Sequence, residues 1–169
     1  MDLTDRLLEH DLWLTRRLLE AAASLTDDQL DEMVELGHDP QPYESEEPTV
    51  RSMFDRLIGA REMWTAAIEG EEPPGGRGTS IECLRRRLES SGPAFIEVAH
   101  RVRDGNEWDA AFIDAACDPP ESFTFGGMLA HVVTFSAYRR QMLLIALGKH
   151  GIDGIGYGDP FEWERSAVD

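Results

Sequence analysis

The fold is decided by residues 124–148, TFGGMLAHVVTFSAYRRQMLLIALG, the most apolar segment of the chain. Thr124 is a typical N-cap and Gly148 a typical helix stop, so the segment predicts one long helix. Its apolar residues recur at steps of three and four and define one broad face. They are Phe125, Met128, Leu129, Val132, Phe135, Met142, Leu143 and Ala146. Such a face must be buried, and the remainder of the chain is expected to pack around it.

Three further segments carry apolar residues at the same spacing and predict helices. They run from Leu3 to Ala23, from the cap Thr49 to Gly70, and from Ile81 to Gly105. Gly92-Pro93 lies within the last of them, and because proline lacks a backbone donor we expect a kink or local break there. Thr26 and Gln29 form a capping box that predicts a short helical turn after the first helix.

The connections are long and polar, and none shows the alternation of a β-strand. Residues 37–48 and 71–78 are rich in proline and glycine and are predicted to be loops, whereas 106–123 is a tethered crossover. The tail, 151–169, carries Ile155, Tyr157, Phe161 and Trp163, which are expected to dock onto the helices. The sequence therefore predicts a single all-α domain over residues 1–169, a four-helix bundle with long crossover connections and a docked C-terminal tail.

The charge of the chain argues against nucleic acid as a partner. The formal net charge is -17 and the pI about 4.5, so the molecule repels phosphate backbones. The one basic run, Arg85 to Arg87, is flanked by Glu82 and Glu89, a spacing that predicts local ion pairs.

Targeting and redox signals are absent from the sequence. The longest apolar run, Met142 to Leu147, is much shorter than the ~20 residues that span a bilayer, so no membrane association is expected. The first residues lack the features of a signal peptide. Cys83 and Cys117 are far apart and form no CxxC motif, which predicts free thiols. A cytoplasmic location follows.

Three stretches in the right order resemble the DinB/YfiT-like family. Residues 10–30, HDLWLTRRLLEAAASLTDDQL, are similar to the family's HN-x-W-x-N-RRLL-x-A and LS-x-x-QL. Residues 49–60, TVRSMFDRLIGA, resemble T-[VIL]-R-x-LL-x-H-[LI]-x-x-A. Residues 124–141 resemble T-x-G-x-[ML]-L-x-HV-x-x-H-x-x-x-HR. The resemblance implies a four-helix bundle, often dimeric, with a pocket at one end. Members with assigned chemistry bind a divalent metal through three histidines, and some are thiol-dependent transferases or isomerases.

In this chain the three positions that the resemblance assigns to metal ligands are Arg56, Phe135 and Arg139. A guanidinium has no lone pair to donate and a phenyl ring has no coordinating atom, so no metal or other cofactor is predicted. An alternative metal site at His10, Asp55 and His131 stays open. No spacing indicates a catalytic serine or cysteine, so no catalytic residues are predicted.

The same residues predict a ligand pocket. Its expected lining is His10, Arg56, His131, Phe135, Tyr138 and Arg139. Fixed positive charge there favours a small anionic ligand, a carboxylate or a phosphate. Alternatively, Asp11, Glu20 or Asp55 neutralises the arginines in a structural ion-pair network, and His10 is a core histidine satisfied by a hydrogen bond.

The sequence thus favours a metal-free bundle, homodimeric by resemblance, that either binds a small anion or has a structural role. The alternative is a thiol-dependent transferase or isomerase, metal-independent or with a rescued metal site.

Overall fold

The computed structural model describes residues 1–35, 48–114 and 118–166. Four long helices form the bundle: α1 (Leu3–Ala22), α3 (Val50–Glu69), α4 (Ile81–Asp104) and α5 (Phe125–Lys149). Two short helices, α2 (Asp27–Asp31) and α6 (Pro160–Ser166), and two strands, β1 (Ala111–Asp114) and β2 (Glu121–Thr124), complete the described part. The predicted helical bundle is confirmed. The loop predicted at 37–48 lies almost entirely outside the described residues.

The helix boundaries follow from the capping residues that the sequence shows. The Thr26 hydroxyl accepts from the backbone N–H of Gln29, Thr49 from that of Ser52, and Thr124 from that of Gly127. Each bond satisfies a donor of a first helical turn that has no partner within its helix. Gly70 ends α3 in the left-handed conformation, with φ 69°.

The helices pack as a ring in which α1 contacts α4 and α5, and α3 contacts the same two helices. Consequently α1 lies diagonally opposite α3. A break at Pro93 is wrong, since α4 continues through it as one helix, whereas the kink stays a prediction. Gly92 is buried there, and a Cβ atom at this position would lie 2.6 Å from Cδ1 of Leu12. The glycine therefore permits the close approach of α1 and α4.

The crossover between α4 and α5 differs from expectation. The crossover contains an antiparallel hairpin in which β1 pairs with β2, Phe112 opposite Phe123. Both rings meet Trp64 of α3 edge-on, at centroid distances of 6.1 and 6.0 Å, so the hairpin covers one end of the bundle. The strands show no alternating pattern in the sequence, because each is only four residues long and mostly exposed.

The predicted docking of the tail is confirmed for part of its apolar residues. Trp163 is buried, and Ile155 packs against the core. Tyr157 and Phe161 are exposed, which corrects the expectation that they dock.

Among the described helices, none is long and apolar enough to cross a membrane.

The basic run lies among acidic partners. Arg85 pairs with Glu82 within α4, as predicted, at 3.5 Å. Arg87 instead reaches α3, where it contacts Glu62 at 2.9 Å and Asp55 at 2.6 Å. Ion pairs between helices thus occupy much of this positive charge.

Candidate functional site

A buried carboxylate lies between two buried guanidinium groups in the bundle interior. Arg61 of α3 donates from Nη2 to Oδ2 of Asp11 on α1, and Nη1 of Arg140 on α5 contacts the other oxygen, Oδ1. All three side chains are at most 6% exposed. The contacts therefore join three of the four long helices, including the diagonal pair α1 and α3.

Neighbouring groups hold Arg61 in place. Its Nη2 also donates to the Thr15 hydroxyl at 3.3 Å, and Nη1 donates to the Leu57 carbonyl at 3.3 Å. The Thr15 hydroxyl in turn donates to the Asp11 carbonyl at 2.7 Å. Such bonds are required because a buried polar group without a partner is costly.

The ion pairs lie between two apolar clusters. One contains Leu12, Leu57, Leu88 and Met142 with their neighbours, and the other contains Leu8, Phe95, Met128 and Val132. On each long helix a buried polar residue falls between members of the two clusters. We call this set the polar layer; it consists of Asp11, Arg61, Ser91, Ser136 and Arg140.

The polar layer carries more positive than negative charge. Burial lowers the pKa of Arg61 to about 10 and that of Arg140 to about 10. Both values are well above neutrality, so both groups stay protonated at pH 7. Asp11 supplies one negative charge to two positive ones.

His10 links the first helix to the tail. Its Nε2 lies 2.8 Å from the carbonyl oxygen of Gly158, and its ring meets that of Trp163 at 6.3 Å. The pKa of His10 is lowered, chiefly by burial and further by the charge of Arg140, whereas the bond to Gly158 acts in the opposite direction. The hydrogen-bonded core histidine expected from the sequence is present.

Three of the predicted pocket residues lie together on successive turns of α5. The rings of His131 and Phe135 are 4.4 Å apart, and the guanidinium carbon of Arg139 lies 5.7 Å from the Phe135 ring centre. His131 is exposed overall, although its ring packs on Trp64 at 5.8 Å. Partial burial, and then the charge of Arg139, lowers the pKa of His131.

The remaining predicted pocket residues are distributed differently. Tyr138 is half-buried and packs against the core, whereas Arg56 is exposed on α3. A cavity of about 340 Å³ lies elsewhere, beside the C-terminal end of α5, and none of the six predicted residues lines it. Its lining is Glu32, Met33, Val34, Glu35, Ala146, Lys149 and His150.

The residues at the implied metal positions do not fit a metal ion. Arg139 presents a cation to the Phe135 ring, and neither side chain offers a lone pair for coordination. The alternative ligand Asp55 pairs with Arg87, and His10 is bonded to Gly158. Within residues 1–35, 48–114 and 118–166, no group of three histidine, cysteine or acidic side chains could hold a metal ion.

Arg61 and Arg140 were missed as site residues. Asp11 is the acid of the network, as one alternative proposed, but its partners are these two arginines. Arg61 follows Leu57 by one helical turn and therefore falls on an apolar stripe, a signal that identifies a buried charge. Arg140 corresponds to the arginine that ends the family pattern on α5.

Comparison with protein families bears on this arrangement. The family model described as the DinB superfamily matches residues 12–143, which are most of the chain and include all of the bundle except the start of α1 and the end of α5. The chain belongs to the DinB superfamily. Comparison with curated proteins and with solved structures gave no match. This DinB-superfamily protein thus has the family's helical bundle, with the Asp11–Arg61–Arg140 contacts in its interior.

Proposed function

We propose that this DinB-superfamily protein is a metal-independent, non-catalytic bundle whose interior is connected by ion pairs. The observation that supports the proposal is the Asp11 carboxylate, buried and shared by Arg61 and Arg140. A bound metal can join helices by taking a ligand from each. Here a carboxylate and two guanidinium groups connect α1, α3 and α5 instead.

Electrostatics supports the absence of metal chemistry. The two guanidinium groups of the polar layer share a single carboxylate, and the remaining positive charge opposes the approach of a metal cation in a medium of low dielectric constant. Without a metal, the family's means of polarising a substrate or activating a thiol is missing. A role in binding or assembly is what this chemistry supports.

Metal content tests the proposal directly. The full chain is purified without chelator, its metals are quantified by mass spectrometry, and its thermal unfolding is followed with EDTA, zinc and nickel. We expect well under one metal ion per chain and the same melting temperature in all three conditions. The His131→Ala variant should match the native chain in both measurements. Stoichiometric metal that is lost with His131, together with a fall in melting temperature on chelation, would overturn the proposal.

Catalysis is tested separately. We expect no turnover when the protein is incubated with low-molecular-weight thiols and electrophiles, with and without added metal. Turnover that disappears in the Arg139→Gln variant would instead support the metal-independent transferase. Homodimer formation stays a prediction, to be checked by light scattering.

A further inference from the structure

The polar layer contains hydrogen-bond donors that no described residue satisfies. Arg140 is only 5% exposed at its side chain, yet its Nε has no hydrogen-bond partner among the described residues. The hydroxyl of Ser136, a residue 1% exposed, also lacks one within this part of the chain. Buried donors of this kind normally have a partner, because leaving one unmet costs the full desolvation of the group.

These two groups lie on the same face of one helix. Ser136 and Arg140 are four residues apart on α5, and residues at this spacing are neighbours on a helix surface. Both side chains are buried at the level between the two apolar clusters. A single small group could therefore accept from the hydroxyl and the guanidinium together.

The charge of the layer specifies the sign and size of that group. Among the three side chains Asp11, Arg61 and Arg140, one carboxylate faces two guanidinium groups, which leaves one positive charge in excess within this group. One added negative charge balances the layer, whereas a doubly charged phosphate would leave a buried negative charge in its place.

We propose that the polar layer binds one small monovalent anion, a halide or the carboxylate of a small acid, between Arg140 and Ser136. The Nε–H of Arg140 and the Ser136 hydroxyl donate to the anion, and Asp11 and Arg61 hold the Arg140 guanidinium at the level of the site. This site goes beyond the role proposed above and does not depend on metal content, so either proposal can fail alone.

Thermal unfolding of the full chain at constant ionic strength tests the site. Gluconate, which is too large for a closely packed interior, is replaced stepwise by chloride, acetate or phosphate at pH 7.5. We expect the melting temperature to rise with chloride, acetate or both, in proportion to the logarithm of the anion concentration above the dissociation constant, reaching about 5 to 10 °C at 100 times that constant. Chloride alone identifies a halide site, and acetate alone a carboxylate site.

Three variants connect the effect to the layer. Arg140→Lys keeps the positive charge but removes the Nε–H, and should abolish the rise in melting temperature. Ser136→Ala removes one donor without creating a large cavity and should weaken the affinity several-fold. Arg85→Gln, at an exposed arginine, should behave as the native chain. If Arg140→Lys does not fold, bromide-soaked crystals of the native chain give the same answer, with an anomalous peak expected beside Arg140 Nε.

The proposal is overturned by any of three results. The first is an unchanged melting temperature in both chloride and acetate. The second is an equal response of Arg140→Lys and the native chain. The third is stronger stabilisation by phosphate than by either monovalent anion.

Discussion

Replacing Asp11 by asparagine tests the central feature of the structure. The variant keeps the size of the side chain and one carbonyl oxygen, but it removes the only negative charge that contacts Arg61 and Arg140 in the described contacts. Removing one partner of a buried pair costs about 3 to 5 kcal/mol, because the remaining charge is left uncompensated. In a chain of this length each kcal/mol shifts the melting temperature by about 2 to 4 °C, so we expect a fall of about 6 to 20 °C.

A comparison with Arg61→Met separates charge balance from simple loss of contacts. That variant removes the Arg61 bonds but leaves Asp11 paired with Arg140, one charge against one. It should therefore be less destabilising than Asp11→Asn, although its contacts with Thr15 and Leu57 are also lost. Differential scanning calorimetry in gluconate buffer measures the melting temperatures of both variants and of the native chain. The reasoning is refuted if Asp11→Asn melts within 2 °C of the native chain, a limit of about 1 kcal/mol, or no lower than Arg61→Met.

Three further predictions concern the surroundings of the polar layer and the surface. Burial holds His10 neutral in the folded state, so the unfolded state binds more protons; stability should be fully present above pH 6.5, the ordinary pKa, and decline as pH falls below it. The Ser80 hydroxyl and the Arg86 guanidinium lower the pKa of the Cys83 thiol, so in a Cys117→Ser background iodoacetamide should alkylate Cys83 faster than a free cysteine at pH 7.5. Gly158→Ala should loosen the tail, seen as a shift in tryptophan fluorescence, since its φ is +67° and the new Cβ would lie 2.7 Å from Leu14 Cδ2.

Each of these has a matched control. His10→Gln should flatten the dependence of stability on pH between 5 and 7, and an unchanged slope contradicts the first prediction. Arg86→Gln should slow alkylation several-fold, whereas an equal rate rules out the effect of the guanidinium. Gly154→Ala also places a side chain at positive φ, +85°, but in open space. Gly154→Ala should lower the free energy of unfolding by about 1 to 2 kcal/mol from backbone strain alone. If Gly158→Ala lowers it by the same amount, the clash with Leu14 does not contribute.

The helices could be predicted from the sequence because their signals are local. Thr49 and Thr124 each precede a run with three-four spacing, Thr26 begins a capping box, and each of the three caps a helix in the structure. The hairpin could not, since its stability comes from Phe112 and Phe123 meeting Trp64, far away in the chain. Pro93 does not end α4, because it is exposed and removes one backbone hydrogen bond while the rest of the helix stays bonded.

The site was harder to predict because one residue decides which way a side chain points. Successive residues of an α-helix differ by about 100° around its axis, so Arg139 and Arg140 lead to different neighbours. Arg139 was expected at the centre, and it is buried beside Phe135; Arg140 is the residue that contacts Asp11. The pairing of Asp11 with Arg61 joins positions 50 residues apart and lies beyond any local pattern.

Because the polar layer lies between the two apolar clusters, it also determines how the helices align along their axes. A purely aliphatic bundle tolerates sliding of one helix past another by a turn, about 5.4 Å, because leucine meets leucine again. In this molecule the same shift of α1 would move Asp11 into a level rich in leucine. It would leave the buried Arg61 and Arg140 without their carboxylate partner. The mismatch favours a single alignment of α1, α3 and α5 over its shifted alternatives.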